Sequence, residues 1–369
     1  MNQATNAFFL FVMKQRKLSH QVLLKADKNY QQAARIISLR HITDSAEGIQ
    51  RIKKGRSFRY MFNGKEIKKS ATLNRIKKLA IPPSWSDVWI SPIENSHLQA
   101  TGHDLRGRKQ YRYHADWNEL RNETKFHRLY EFGKALPKLR KKIRKDILSR
   151  ELTEKRVLAT VIQLMEHTHI RVGNSDYEKL YGSYGLTTLK DKHATIEKDK
   201  ILFSFKGKKG VMHEVRIKNK TLARIVKQCR DIPGKELFQY YLPDGKRKSI
   251  DSGMVNTYIR ENTGGDFSTK DFRTWAGTLC ALESFSKMGN GIPRTDIKKN
   301  IILMLDEVST RLGNTRNICK KYYVHPSVIS LYEENKLISY TGKLNSHKIT
   351  SPGLSKEEKI LMEILKTSM

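Results

Sequence analysis

The chain has 369 residues, 71 lysines and arginines against 37 acidic residues, and a formal net charge of +34. Hydrophobic residues make up 38% and aromatics 9%, which excludes a disordered basic tail and leaves a folded protein whose natural partner is a polyanion. No apolar run approaches the roughly 18 residues of a membrane span, and the run Phe8–Met13 lacks the basic flank and small-residue cleavage site of a signal peptide.

In chain order, residues 1–38 are polar, basic and weakly patterned, and are read as an extension without assigned structure. Phe58, Tyr60 and Phe62 then alternate with Arg59 and Met61, a strand pattern, and Asn63-Gly64 supplies a two-residue hairpin turn before Lys65-Glu66-Ile67. A helix is predicted over Ala71–Ala80, stopped by Pro82-Pro83. Strands are predicted at Val88–Ser91, His97–Thr101 and Lys109–His114, the last after the loop Gly102–Arg108. Residues 39–117 therefore read as a small β-rich domain.

Residues 118–369 read as a larger, mainly helical domain. Leu139, Ile143 and Ile147 repeat every four residues among Lys138, Arg140, Lys141, Lys142, Arg144 and Lys145, an amphipathic helix with a basic outer face. A helix over Glu154–His167 precedes three antiparallel strands, His193–Glu197, Ile201–Lys206 and Val211–Ile217, with a turn at Gly207–Gly210. Helices are predicted at Lys220–Arg230, Ser252–Asn262, Lys270–Met288, Asp296–Leu312 and Leu354–Thr367, with a turn at Pro243-Asp244-Gly245. The fold class is α+β.

The chemistry is first narrowed by what is missing. Cys229, Cys280 and Cys319 form no CxxC pair, which excludes a zinc ribbon and suits a reducing compartment. His167 and His169 lie two apart, and His213-Glu214 lacks the second histidine of a zincin. There is no Walker A pattern and no pair of aspartates two residues apart. The expectation is chemistry on a polyanion with no metal, nucleotide or other cofactor.

Two regions could carry it. In Gly107-Arg108-Lys109-Gln110-Tyr111-Arg112-Tyr113-His114, a strand puts Tyr111 and Tyr113 on one face and Gln110 and Arg112 on the other. Glutamine can pair with adenine, and tyrosines can stack or bond phosphate, so this is a candidate groove reader; the plain alternative is a half-buried strand with two core tyrosines. The second region is an ordered set: Arg171, Lys208 on its hairpin tip, Arg273, Gly313-Asn314-Thr315 and Tyr323. Singly, each reads as an ordinary surface or packed residue. Together they are what metal-free phosphoryl chemistry needs: guanidinium forks for the equatorial oxygens, an acid for the leaving alkoxide, and a phenol.

Arg171, Arg273 and Asn314, and the strand from Arg108, lie within motifs by which the chain resembles the poxvirus-like bacterial type IB DNA topoisomerases, of the eukaryotic-type DNA topoisomerase I family. Ile81-Pro82-Pro83-Ser84-Trp85, Leu98-Gln99-Ala100-Thr101-Gly102 and Gly107–His114 resemble its amino-terminal signatures. Arg171-Val172-Gly173-Asn174, Tyr184-Gly185-Leu186-Thr187-Thr188-Leu189, Lys270-Asp271-Phe272-Arg273-Thr274 and Leu312-Gly313-Asn314-Thr315 resemble its catalytic domain. The resemblance implies a clamp around duplex DNA and supercoil relaxation without ATP or metal, by a monomer acting in the cytoplasm at the nucleoid. It implies Tyr323 as the nucleophile joined to a 3′-phosphate, Arg171 and Arg273 as clamps on the non-bridging oxygens, Lys208 as the general acid, and Asn314 as a neutral donor where many relatives carry histidine. Arg108, Gln110, Tyr111 and Tyr113 are the expected DNA contacts. Tyr322 leaves a one-residue ambiguity that family spacing and Val324-His325-Pro326 resolve toward Tyr323. Tyrosine recombinases share this chemistry, but their second arginine follows a histidine by three, a place held here by Lys270. A non-enzymatic nucleoid-type DNA-binding protein would explain the charge but not Tyr323.

Overall fold

The computed structural model describes residues 18–55, 57–288, 294–342 and 353–369, so the run Phe8–Met13 lies outside it. The chain is α+β and divides into two compact units, one running to Arg128 and the other covering Leu129–Ser368. The division falls inside the helix Ala115–Ile147, downstream of the compositional change at Trp117. Among the described residues, no helix is long and apolar enough to cross a membrane.

Among the described residues the first unit begins with two helices that the weak patterning did not predict, α1 (His20–Lys28) and α2 (Tyr30–Ile36). Their few apolar residues suffice, because Leu23, Ala26, Ala33 and Ala34 are buried with Leu39, Trp117 and Leu120 in a small separate core. Six antiparallel strands follow: β1 (Ile49–Lys54), β2 (Ser57–Phe62), β3 (Lys65–Glu66), β4 (Ser86–Ile90), β5 (Leu98–His103) and β6 (Lys109–Tyr113), in the order β3-β2-β1-β4-β5-β6. Asn63 and Gly64 both take positive φ, 47° and 73°, as the predicted hairpin turn requires. Helix α3 (Ser70–Lys78) contributes Ile76 to a core with Ile49, Val88, Ile90 and Ala100. Strand β1 escaped prediction because Arg51, Lys53 and Lys54 mask its alternation. Arg51 folds inward and donates to Pro82 O at 3.1 Å and Trp85 O at 2.7 Å, so Ile81–Trp85 acts as a structural cradle. Gln99 is likewise structural, buried and accepting from Arg75 at 2.9 Å.

Helix α4 (Ala115–Ile147) leads into the second unit with Pro137 inside it. An internal proline costs about 3 kcal/mol. The burial of Leu136, Leu139, Ile143 and Ile147, at about 1.5–3 kcal/mol each, outweighs it. The basic face of this helix is incomplete, since Arg140 turns inward to Glu166 and Glu358. Next come α5 (Glu154–Thr168), α6 (Ser175–Tyr181), the sheet β7 (Ala194–Glu197), β8 (Lys200–Lys206) and β9 (Met212–Lys218) in that order, and α7 (Lys220–Arg230). A small hairpin, β10 (Gln239–Tyr241) and β11 (Arg247–Ser249), closes around the turn predicted at Pro243-Asp244-Gly245. Among the described residues the remaining helices are α8 (Ser252–Thr263), α9 (Thr269–Lys287), α10 (Arg294–Leu312), α11 (Arg316–Tyr322), α12 (Pro326–Glu333), α13 (Ile338–Thr341) and α14 (Lys356–Thr367). One hydrophobic core runs through them, with Phe203, Phe238 and Phe285 among its largest buried side chains.

Candidate active site

The link between α10 and α11 is the centre of the site. Helix α10 ends at Gly313, whose φ of +58° reverses the chain; a Cβ there would stand 2.9 Å from the His213 ring. The three residues at this reversal hold both arginines. Leu312 O accepts from an Arg273 terminal nitrogen at 2.7 Å, while Gly313 O and Asn314 Oδ1 accept from Arg171 at 3.1 and 2.7 Å. Because Oδ1 faces a guanidinium, the Asn314 amide presents Nδ2–H as a donor; its bond to Leu312 O, at 3.4 Å, is long. Thr315 then caps α11, with its side chain accepting from Ile318 N–H, and α11 carries the chain to Tyr323.

Arg171 leaves the end of α5, where His169 takes φ of 56°. The motif Tyr184–Leu189 straps this segment: Leu186 N–H donates to Arg171 O at 2.9 Å, and Thr187 N–H and Oγ1–H both donate to Val172 O. Arg273 is not the solvated arginine its place near a helix start suggests. It is 7% exposed, its other terminal nitrogen donates to His169 O at 2.6 Å, and its Nε–H is buried without a partner. A buried unpaired donor is costly.

The half-buried Tyr323 ring faces Arg273, with the guanidinium carbon 5.3 Å from its centroid. Its backbone is fixed from α9, since Thr278 Oγ1 donates to Tyr323 O and accepts from His325 N–H, both at 3.1 Å. Gly277 permits this approach: a Cβ there would lie 2.7 Å from Tyr323 O and 3.0 Å from Tyr323 Cβ. Gly277→Ala is therefore expected to displace the tyrosine. On the expectation that Tyr323 is the nucleophile, the single-turnover rate of adduct formation should fall by roughly 10- to 100-fold, and an unchanged rate would show that Tyr323 tolerates the shift.

Electrostatically the site is cationic. Among the described residues Arg171 and Arg273 bond backbone carbonyls and the Asn314 amide rather than a carboxylate. Burial, then the neighbouring Arg273, push Arg171 down to about 10, so it stays charged at neutral pH. Burial, then Arg171 and Arg273, also lower His213, which stacks on Phe205 at 5.2 Å. Sequence reasoning considered His213 only as a metal ligand; its role as the wall behind Gly313 has no sequence signal. Lys208 lies on the exposed β8–β9 tip, its ammonium 5.8 Å from the Tyr177 ring centroid.

The four candidates in the first unit divide. Tyr111 and Tyr113 are 48% and 39% exposed and stacked at 5.9 Å, so they are not core tyrosines. Arg108 and Gln110 are both held by Asp104, through Arg108 Nε at 2.8 Å and Gln110 Nε2 at 3.1 Å. The Arg108 bond, outweighing some burial, pulls the Asp104 carboxyl down to about 2.

Residues 114–348 match the family model described as eukaryotic DNA topoisomerase I, catalytic core, and residues 57–104 match bacterial DNA topoisomerase IB, N-terminal domain. The DNA topoisomerase 1B of Acanthamoeba polyphaga mimivirus is 36% identical over 297 residues, 78% of this chain and 88% of that protein. The DNA topoisomerase I of monkeypox virus is 27% identical over 281 residues, 73% of this chain and 84% of that protein.

Proposed function

The chain belongs to the eukaryotic-type DNA topoisomerase I family and is a type IB DNA topoisomerase; from that premise we propose how its own residues carry out the reaction. The Tyr323 phenol gives up its proton to water as its oxygen attacks a backbone phosphate of duplex DNA. A bond forms between phosphorus and that oxygen, the bond to the 5′-oxygen breaks, and the strand is left joined to the enzyme through its 3′-phosphate. Arg171 and Arg273 bind the non-bridging oxygens, and the Asn314 Nδ2–H supports the same charge. Lys208 protonates the departing 5′-oxygen. The free end swivels, and attack by the 5′-hydroxyl on the phosphotyrosine reseals the strand, so no ATP is needed.

The observation that carries this reading is the turn at Leu312–Asn314, which holds both arginines and leads directly to Tyr323. We assign the first unit to DNA binding, with Tyr111 and Tyr113 as its exposed contacts and Arg108 and Gln110 as a pair set in place by Asp104. The two units together grip the duplex, as a monomer, in a clamp driven by the +34 charge.

The test is relaxation of supercoiled plasmid in EDTA without ATP. Positive and negative supercoils should both relax, because swivelling about one nick has no preferred sense. An absolute requirement for magnesium or nucleotide would overturn the mechanism.

A further inference from the structure

Helix α14 begins beyond the residues matched by the catalytic-core family model, which end at 348. It nevertheless delivers a carboxylate, Glu358, that is only 4% exposed. Glu358 Oε1 accepts from Trp275 Nε1 at 2.9 Å and from Arg140 at 2.6 Å; Oε2 accepts from Arg140 at 2.7 Å and from Ser355 N–H at 2.8 Å. Both bonding directions lead to Arg273. Trp275 stands two residues after Arg273 on α9. Arg140 also donates through Nε to Glu166 at 2.8 Å, on the last turn of α5, and that turn ends at His169, whose carbonyl accepts from Arg273 at 2.6 Å.

Arg273 is held by backbone carbonyls rather than by a carboxylate, so its aim depends on how α9 sits against the end of α5. A guanidinium fork bonded to two carboxylates fixes such a relation directionally, as apolar contact does not. Stability alone does not require a charge here, since an apolar group of similar volume often packs as well or better. Burial pushes the Glu358 carboxyl up, but the bonds from Arg140 outweigh it, so the group stays ionised.

We propose that Glu358 is a positioning residue for Arg273, and that the C-terminal helix thereby belongs to the catalytic apparatus. The proposal rests on Arg273 acting on the scissile phosphate. It is tested with Glu358→Gln, which keeps the shape and an acceptor for Trp275 but loses the charge facing Arg140. DNA affinity should change by no more than about 2-fold, while the single-turnover cleavage rate at saturating enzyme falls by about 10- to 100-fold.

In an Arg273→Ala background, where cleavage is slow but measurable, Glu358→Gln should add nothing further. Trp275→Phe removes only the indole N–H from one of the two routes; it should show the same dependence on Arg273 with a smaller loss, and it decides the matter if Glu358→Gln does not fold. A wild-type cleavage rate in either folded variant, or an equal fractional loss with and without Arg273, would overturn the proposal. Failure of the wild-type enzyme to form any adduct would instead overturn the reading of the active site.

Discussion

Tyr323→Phe is expected to bind duplex DNA with near wild-type affinity and to form no covalent adduct, a loss of at least about 10⁴-fold in cleavage. The substitution removes one oxygen from a half-buried ring and leaves the ring face beside Arg273 in place. The backbone bonds from Thr278 are unaffected because they engage the main chain of Tyr323 and His325. Tyr322→Phe is the matched control. Tyr322 is the last residue of α11, and its ring lies 5.4 Å from the Lys321 ammonium. It should keep cleavage within a few-fold. Denaturing gel analysis of enzyme trapped on an end-labelled duplex measures both. Peptide mapping of the adduct to Tyr322 would place the nucleophile one residue away from the proposal.

Arg171, Arg273 and Asn314 stand out as candidates in the sequence because each lies in a short local motif, whereas Lys208 and Tyr323 stand out only by their order in the set. Leu312-Gly313-Asn314-Thr315 shows why such a motif reads so clearly: each residue has its own task in one turn, accepting from Arg273, reversing the chain, accepting from Arg171 and capping α11. The missed elements share a different physics. Helices α6 and α11 have seven residues each and mostly polar exposed faces, too short for an apolar period; Asn174 and Thr315 cap them instead. Strand β1 was hidden by Arg51, whose burial depends on carbonyls of Pro82 and Trp85 brought close by the fold.

Alternation in Lys109–Tyr113 gave the two faces of β6 but could not say which one the fold leaves open. That face is the tyrosine face. In the sequence Glu358 is one charge among several in the helix predicted over Leu354–Thr367, and only its meeting with Arg140 and Trp275 distinguishes it. In each case the local pattern sets an element, and a distant partner decides what its polar side chains do.

Lys208 and the two arginines should separate when the leaving group is changed. Lys208→Ala should slow cleavage of an ordinary duplex by about 10²–10⁴-fold, the usual worth of a general acid. With sulfur replacing the bridging 5′-oxygen, the departing thiolate is far less basic than an alkoxide and needs no proton, so Lys208→Ala should cleave close to the wild-type rate. Arg171→Ala and Arg273→Ala should lose about 10²–10³-fold on both substrates, because the charge they oppose sits on the non-bridging oxygens and is untouched by the sulfur. The geometry motivates this division: the two arginines share the carbonyls of one turn, whereas Lys208 stands on a separate exposed tip. Comparing single-turnover rates on the oxygen and sulfur duplexes for all three variants measures it. Equal rescue of all three would show that none acts selectively on the leaving group. Failure to rescue Lys208→Ala would move the proton donor to another residue, while leaving the arginines and Tyr323 in their proposed roles.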